Sequence, residues 1–134
     1  SHIIDELLSC GAEKVYCLVR NDENRLYDTL SFYFEDKYKD DRRIIPVIGD
    51  LEHLADINID DNIDIVIHTA ASVKHYGSYE YFYDMNVGGT LNAIDFCKNH
   101  NTKLIHISTL SVSGNSLADS FDVYKSVEEK HFYA

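Results

Sequence analysis

No apolar run approaches the ~20 residues that a membrane-spanning helix needs, and no basic stretch precedes an apolar one at the start, the pattern of a secretion signal. These two absences predict a cytoplasmic protein. Paired cysteines are also missing. Cys10, Cys17 and Cys97 are scattered among apolar neighbours, form neither a CxxC pair nor a metal-ligand spacing, and read as buried, reduced thiols. The seven histidines are dispersed without an HExxH-like pair, so no metal is expected. Positive charge is scarce: 12 basic residues face 23 acidic ones, a net charge of −11, with no Lys/Arg run beyond Arg42-Arg43. A nucleic-acid binder carries a basic face, so nucleic acid and anionic membranes are both argued against. An acidic exterior still admits a phosphate ligand, because backbone N–H groups at a helix start bind phosphate.

Repeats, low-complexity tracts and linkers are absent as well. What remains is one domain of 134 residues, with 45% apolar and 26% charged residues to build one core. Its periodicity alternates. Ile3, Ile4, Leu7 and Leu8 recur at helical spacing, and Gly11 follows as a helix stop. Val15 to Val19 is a short continuous apolar run, the mark of a buried parallel strand. Leu26, Leu30, Tyr33 and Phe34 form the next helical stripe. Ile44 to Ile48 is a second strand, in which Pro46 argues against a central position. Residues 51–62 read as a loop or short helix, and Ile63 to His68 as a third strand. Residues 78–98 hold a long helix with Val87, Leu91 and Ile94 on one side and Gly88-Gly89 packed close to the sheet. Leu104 to Ile107 is a fourth strand, and a weaker helical pattern follows Asp119. The order predicts an α/β fold, a doubly wound parallel sheet with helices on both faces.

In such sheets the ligand lies beyond the carboxyl ends of the strands. The residues there are Arg20, Gly49-Asp50-Leu51, Thr69-Ala70-Ala71-Ser72 and Ser108-Thr109. Small residues after the third strand would let a cofactor approach the backbone. Arg20 stands where an acid would select NAD and could instead meet a ribose 2′-phosphate. Each residue alone also fits a plainer role: Arg20 a solvated strand end, Asp50 a turn cap, Ala70-Ala71 packing. Lys74-His75-Tyr76 is either a substrate mouth or a solvated loop. Tyr79, Tyr81, Phe82 and Tyr83 either stack on a substrate or pack a helix.

Several phrases carry a family resemblance: Val15-Tyr-Cys-Leu-Val-Arg20, Gly49-Asp-Leu51, Ile67-His-Thr-Ala-Ala-Ser-Val73, Asn86-Val-Gly-Gly-Thr90 and His106-Ile-Ser-Thr-Leu-Ser-Val-Ser-Gly114. Together they resemble the thioester reductase domains of nonribosomal peptide synthetases, polyketide synthases and carboxylic acid reductases. These are extended short-chain dehydrogenases/reductases related to fatty acyl-CoA reductases. The resemblance implies a Rossmann-like, NAD(P)-binding fold and NADPH as cofactor. It implies that Arg20 contacts the 2′-phosphate and that Asp50 and Leu51 flank the adenine. Ala70, Ala71 and Val73 would line the dinucleotide path, and Asn86 would organise the active site. Thr109 and Tyr124 are the implied catalytic residues. The implied substrate is an acyl or peptidyl thioester on a phosphopantetheinyl carrier protein, released as an aldehyde or alcohol.

Three departures accompany it. The family has Tyr-x-x-x-Lys, whereas Glu128 stands four residues after Tyr124. The stretch from Asn115 to Tyr124 is shorter than the family's. The first strand with its glycine turn and the C-terminal substrate subdomain do not occur within the sequence. Residues 1–134 therefore read as a partial Rossmann domain, inactive by itself, with a Gly-x-x-Gly-x-x-Gly turn expected ahead of Ser1. Segments missing from the sequence would explain all three departures; a degenerate, non-catalytic homologue is the other explanation. Alternatives in function are a fatty acyl-CoA reductase, a sugar-nucleotide epimerase or dehydratase, and a sensor or scaffold that binds NADP(H) without turnover.

Overall fold

The computed structural model describes residues 1–109, so the expected catalytic Tyr124 and the helix after Asp119 lie outside the described residues. Helix α1 spans His2–Ser9 and buries Leu8. It stops where expected: Gly11 takes φ +93°, and the Gly11 and Ala12 N–H groups cap the Leu8 and Leu7 carbonyls at 3.2 and 2.9 Å. Strand β1, Val15–Val19, pairs in parallel with β2, Ile44–Ile48, from Val15 opposite Ile44 to Val19 opposite Ile48. Between them run α2, Asn24–Phe34, and a 3₁₀ turn, Glu35–Tyr38. Strand β3, Ile65–His68, pairs in parallel with β4, Lys103–His106. Among the described residues β2 pairs with β1 only, which leaves Pro46 on an edge strand, where its missing N–H does no harm.

The fold is thus α/β with parallel strands, as the alternating pattern predicts, but it forms two two-stranded sheets with a core each. Leu8, Leu30, Tyr38 and Ile44 make one core, with Ile4, Val15 and Cys17 against it. Leu54, Ala93 and Phe96 make the other, with Leu51, Ile57 and Val66. Between the facing edges of β1 and β3 lies a cavity of about 1000 Å³, lined by both strands and by Leu7, Leu54 and Phe96. Asp61, also in its lining, accepts hydrogen bonds from the Lys14 ammonium and the Tyr16 hydroxyl; these two bonds hold its carboxyl below the usual range.

Four expectations need correction. The strands are not fully buried: Ile48, Ile65 and Ile105 are exposed, because no described element covers those faces. Tyr33 is exposed and leaves the α2 stripe, while Tyr27 joins it at the core. Cys10 is exposed rather than buried; Cys97 is buried, and burial raises the Cys17 thiol to about 11. The long helix is three pieces: α3, Tyr79–Phe82; a π-helical turn, Tyr83–Gly88; and α4, Gly89–Asn99. A π turn adds a residue to the helical cycle and rotates the helix beyond it. The buried face of α4 is therefore Gly89, Ala93, Phe96 and Cys97, whereas Val87 and Leu91 point outward.

Candidate functional site

The loops that leave β1, β2 and β3 meet around a cavity of about 240 Å³. Its walls are Leu18 and Arg20 from the first, Gly49, Asp50 and Leu51 from the second, Thr69, Ala70 and Ala71 from the third, and Met85 from the π turn. Five residues to which the family resemblance gives cofactor contacts, Arg20, Asp50, Leu51, Ala70 and Ala71, thus share one cavity, together with Gly49 and Thr69 from the same strand ends. They do so because parallel strands end together, which brings the loops after them to one edge.

Arg20 is exposed at the rim, and no ion pair among the described residues includes it. Its charge is available to an anion. Asp50 plays its plainer role as well: its Oδ1 accepts from the His53 N–H at 2.9 Å and contacts the ring Nδ1 at 3.0 Å. The backbone bond, then the ring bond, lowers the Asp50 pKa, and the carboxylate raises that of His53. Leu51 is held from two sides. The Asn92 Nδ2 donates to its carbonyl at 2.8 Å, and α4 approaches so closely at Gly89 that a Cβ there would sit 2.9 Å from Leu51 Cδ1. Gly89 therefore packs against the loop after β2 rather than against the sheet, while a Cβ at Gly88 would meet nothing nearer than 4.0 Å.

Asn86 lies in the π turn and grips the loop after β3. Its Oδ1 accepts from the Ser72 N–H at 2.6 Å and its Nδ2 donates to the Ser72 carbonyl at 3.3 Å. The Ser72 hydroxyl reaches the Tyr81 hydroxyl at 3.4 Å, and the Lys74 ammonium lies 4.8 Å from the centre of the Tyr81 ring. The Ser72 contact and the Lys74 cation lower the Tyr81 pKa. Val73 is 85% exposed and does not line the cavity, so the structure does not bring it together with the other five. Thr109 lies three residues beyond β4, exposed and outside the cavity lining.

Two wall residues were not among the sequence candidates. Leu18 had a signal, because alternate strand residues share a face and Leu18 stands two before Arg20. Met85 had none: its place depends on the π turn. His68 had none either. It is a buried polar residue, 4% exposed, with its Nε2 3.0 Å from the Thr90 hydroxyl and its ring 5.0 Å from that of His106. Burial, and then the neighbouring His106, lower its pKa.

The model of an NAD-binding family described as "Male sterility protein" matches residues 1–132. The chain belongs to this family. The ligand class of the family is a nicotinamide dinucleotide. Among curated proteins, "Probable polyketide synthase 44" of Dictyostelium discoideum is 30% identical over 132 residues, and "Probable polyketide synthase 45" of the same organism is 29% identical. Each match covers 87% of this chain and 4% of the relative, so the chain spans a small part of those proteins. Among solved structures, a thiolation-reductase di-domain from an archaeal non-ribosomal peptide synthetase is 37% identical, with a TM-score of 0.74 over 87% of this chain and 34% of that one. The reductase domain of the aureusimine biosynthetic cluster is 25% identical, with a TM-score of 0.65 over 96% of this chain and 37% of that one. The likeness to reductase domains of peptide and polyketide synthases, and the Rossmann-type fold, are as the sequence motifs imply. Among the described residues no helix is long and apolar enough to cross a membrane, and no cluster of metal-ligating side chains occurs.

Proposed function

We propose that the complete protein uses NADPH to release an acyl or peptidyl thioester from a phosphopantetheinyl carrier protein as an aldehyde or alcohol. The observation that carries the cofactor half is the convergence of Arg20, Asp50, Leu51, Ala70 and Ala71 on one cavity, with Arg20 unpaired among the described residues. A guanidinium is the side chain best shaped to fork onto a phosphate, so Arg20 would hold the ribose 2′-phosphate. Leu51 and Leu18 supply apolar surface for a planar base, and Ala70 and Ala71 let the dinucleotide lie against the backbone. The likeness to a thiolation-reductase di-domain supports the carrier-bound substrate.

The bound dinucleotide would supply hydride to the thioester carbonyl carbon. Thr109, from the loop after β4, would donate its hydroxyl proton in a hydrogen bond to the carbonyl oxygen as charge develops there. Tyr124 would be the second donor. We also place an extended apolar strand in the cavity between β1 and β3, where it would find an unpaired strand edge on either side. Slow hydrogen exchange at Tyr16, Leu18, Ile65 and Ile67 in the complete polypeptide is the expected mark of that strand.

The test tracks NADPH oxidation by the complete polypeptide, offered an acyl-phosphopantetheinyl carrier and, separately, acyl-CoA. Turnover of the carrier substrate supports the proposal, and turnover of acyl-CoA alone points to the fatty acyl-CoA reductase reading. Tight NADPH binding with neither substrate consumed would identify a non-catalytic NADP(H) sensor, the reading that Glu128 four residues after Tyr124 favours.

A further inference from the structure

A continuous line of hydrogen bonds joins the interior of the second sheet to the cavity wall. It begins at His68, the last residue of β3 and the only buried polar residue in the described core. The His68 Nε2 lies 3.0 Å from the Thr90 Oγ1, and that oxygen lies 2.6 Å from the Asn86 carbonyl oxygen. A carbonyl can only accept, so the single hydroxyl proton of Thr90 points to Asn86. The Thr90 oxygen is then an acceptor toward His68, and Nε2 must carry a proton. Burial keeps the ring neutral, so the tautomer with hydrogen on Nε2 is the one present. From Asn86 the line continues to both backbone groups of Ser72, the residue after the cavity-wall segment Thr69 to Ala71.

The line crosses the irregular part of the helix. Asn86 and Thr90 flank the junction between the π turn and α4. Side-chain bonds of the Thr90 kind, from a hydroxyl to the carbonyl four residues back, compete with the regular ladder and bend a helix, and here the bond spans the change from π to α geometry and engages the Asn86 carbonyl directly. The orientation of Asn86 therefore depends on Thr90, and that of Thr90 on His68. We propose that His68 and Thr90 are positioning residues for dinucleotide binding, acting through Asn86 on the wall formed by Thr69, Ala70 and Ala71. This rests on the reading of that cavity as the dinucleotide site.

The experiment measures NADPH and NADH dissociation constants of the complete polypeptide and of three variants, with thermal unfolding in parallel. Thr90→Val keeps the shape and removes both hydrogen bonds; Thr90→Ser keeps both; His68→Gln retains a donor near the Nε2 position. Losing a buried hydrogen bond that leaves a partner unsatisfied costs ~1–3 kcal/mol, so Thr90→Val should weaken dinucleotide binding about tenfold or more, while Thr90→Ser and His68→Gln stay within about threefold of wild type. Turnover at saturating NADPH should change less than the apparent KM for NADPH. Nitrogen-15 spectra should place the His68 proton on Nε2. A Thr90→Val variant that unfolds earlier yet binds the dinucleotide as wild type does would reduce the line to a structural support. Weakening by Thr90→Ser with wild-type binding by Thr90→Val would show that the methyl group acts, not the hydroxyl, and a proton on His68 Nδ1 would break the line at its first step. Wild-type protein that binds neither dinucleotide overturns the reading of the cavity itself, before any variant is compared.

Discussion

The Asn86 carboxamide holds the Ser72 backbone by both of its polar groups, accepting its N–H at 2.6 Å and donating to its carbonyl at 3.3 Å. A primary amide can do this because it offers an acceptor and a donor side by side, as a neighbouring strand would. Asp at this position keeps the acceptor and loses the donor; Ala loses both. In the complete polypeptide, Asn86→Ala should therefore weaken NADPH binding by about thirtyfold, since two hydrogen bonds of ~1 kcal/mol each are lost, and Asn86→Asp should fall between Ala and wild type. Isothermal titration measures it. Wild-type affinity in Asn86→Ala would mean that the loop keeps its shape without the amide.

Arg20 should set cofactor choice. A charged hydrogen bond is worth ~1.5–3 kcal/mol, so Arg20→Ala should weaken NADPH binding by about ten- to a hundredfold. NADH lacks the 2′-phosphate and should bind as before. Titration of both dinucleotides on both proteins gives the answer, and an equal loss for the two would assign Arg20 to a part they share.

Gly89 sets the distance between α4 and Leu51. A Cβ there would sit 2.9 Å from Leu51 Cδ1 and 3.3 Å from Leu51 Cβ. The first contact can yield by a rotation of the side chain; the second moves the loop. Gly89→Ala should cost about 1–3 kcal/mol from overpacking, less the ~1 kcal/mol that alanine gains in a helix. Its clearer mark should be on the cavity, with NADPH affinity falling while Gly88→Ala, which has room, leaves it unchanged. Chemical denaturation and NADPH titration of the two variants separate these effects.

Thr109 should matter to the reaction and not to cofactor binding. Removing one donor to a developing oxyanion typically costs ~10²–10³ in rate. Thr109→Val should lower turnover of the acyl thioester by about that factor with the NADPH dissociation constant unchanged. Stopped-flow oxidation of NADPH reads the first quantity and titration the second. Wild-type turnover in the variant would move the active site away from the end of β4.

His68 should make the fold acid-sensitive. Its folded pKa lies below the ordinary 6.5, through burial first and His106 second. Between the folded value and 6.5 the unfolded chain binds more protons, so stability rises with pH across that window. The contribution is fully present above about pH 6.5 and is lost as pH falls through the folded pKa. Thermal unfolding between pH 8 and pH 5 should show this drop, and His68→Gln should flatten it. An unchanged slope in the variant would assign the drop to other groups.

The sequence by itself determined the alternation of helices and strands, the edge place of β2 and the set of loops that form the cavity. The reasons are local or periodic. A run such as Val15 to Val19 with a helical crossover after it suits a parallel strand, Gly11 stops a helix through its own backbone, and parallel strands bring the residues after them to one edge. It also carried the phrases by which the family was recognised. The tertiary structure alone decided which side of α4 is buried, because the π turn rotates Ala93 and Phe96 inward and Leu91 outward, and helical spacing assumes an unbroken cycle. It decided the division into two sheets, which depends on what lies between β1 and β3 rather than on either strand. It separated Val73 from Ala70 and Ala71, since a loop need not keep neighbours on one wall. It also joined His68 to Thr90 across 22 positions, a contact no spacing rule reaches, because burial of a polar ring demands a partner wherever the fold can supply one.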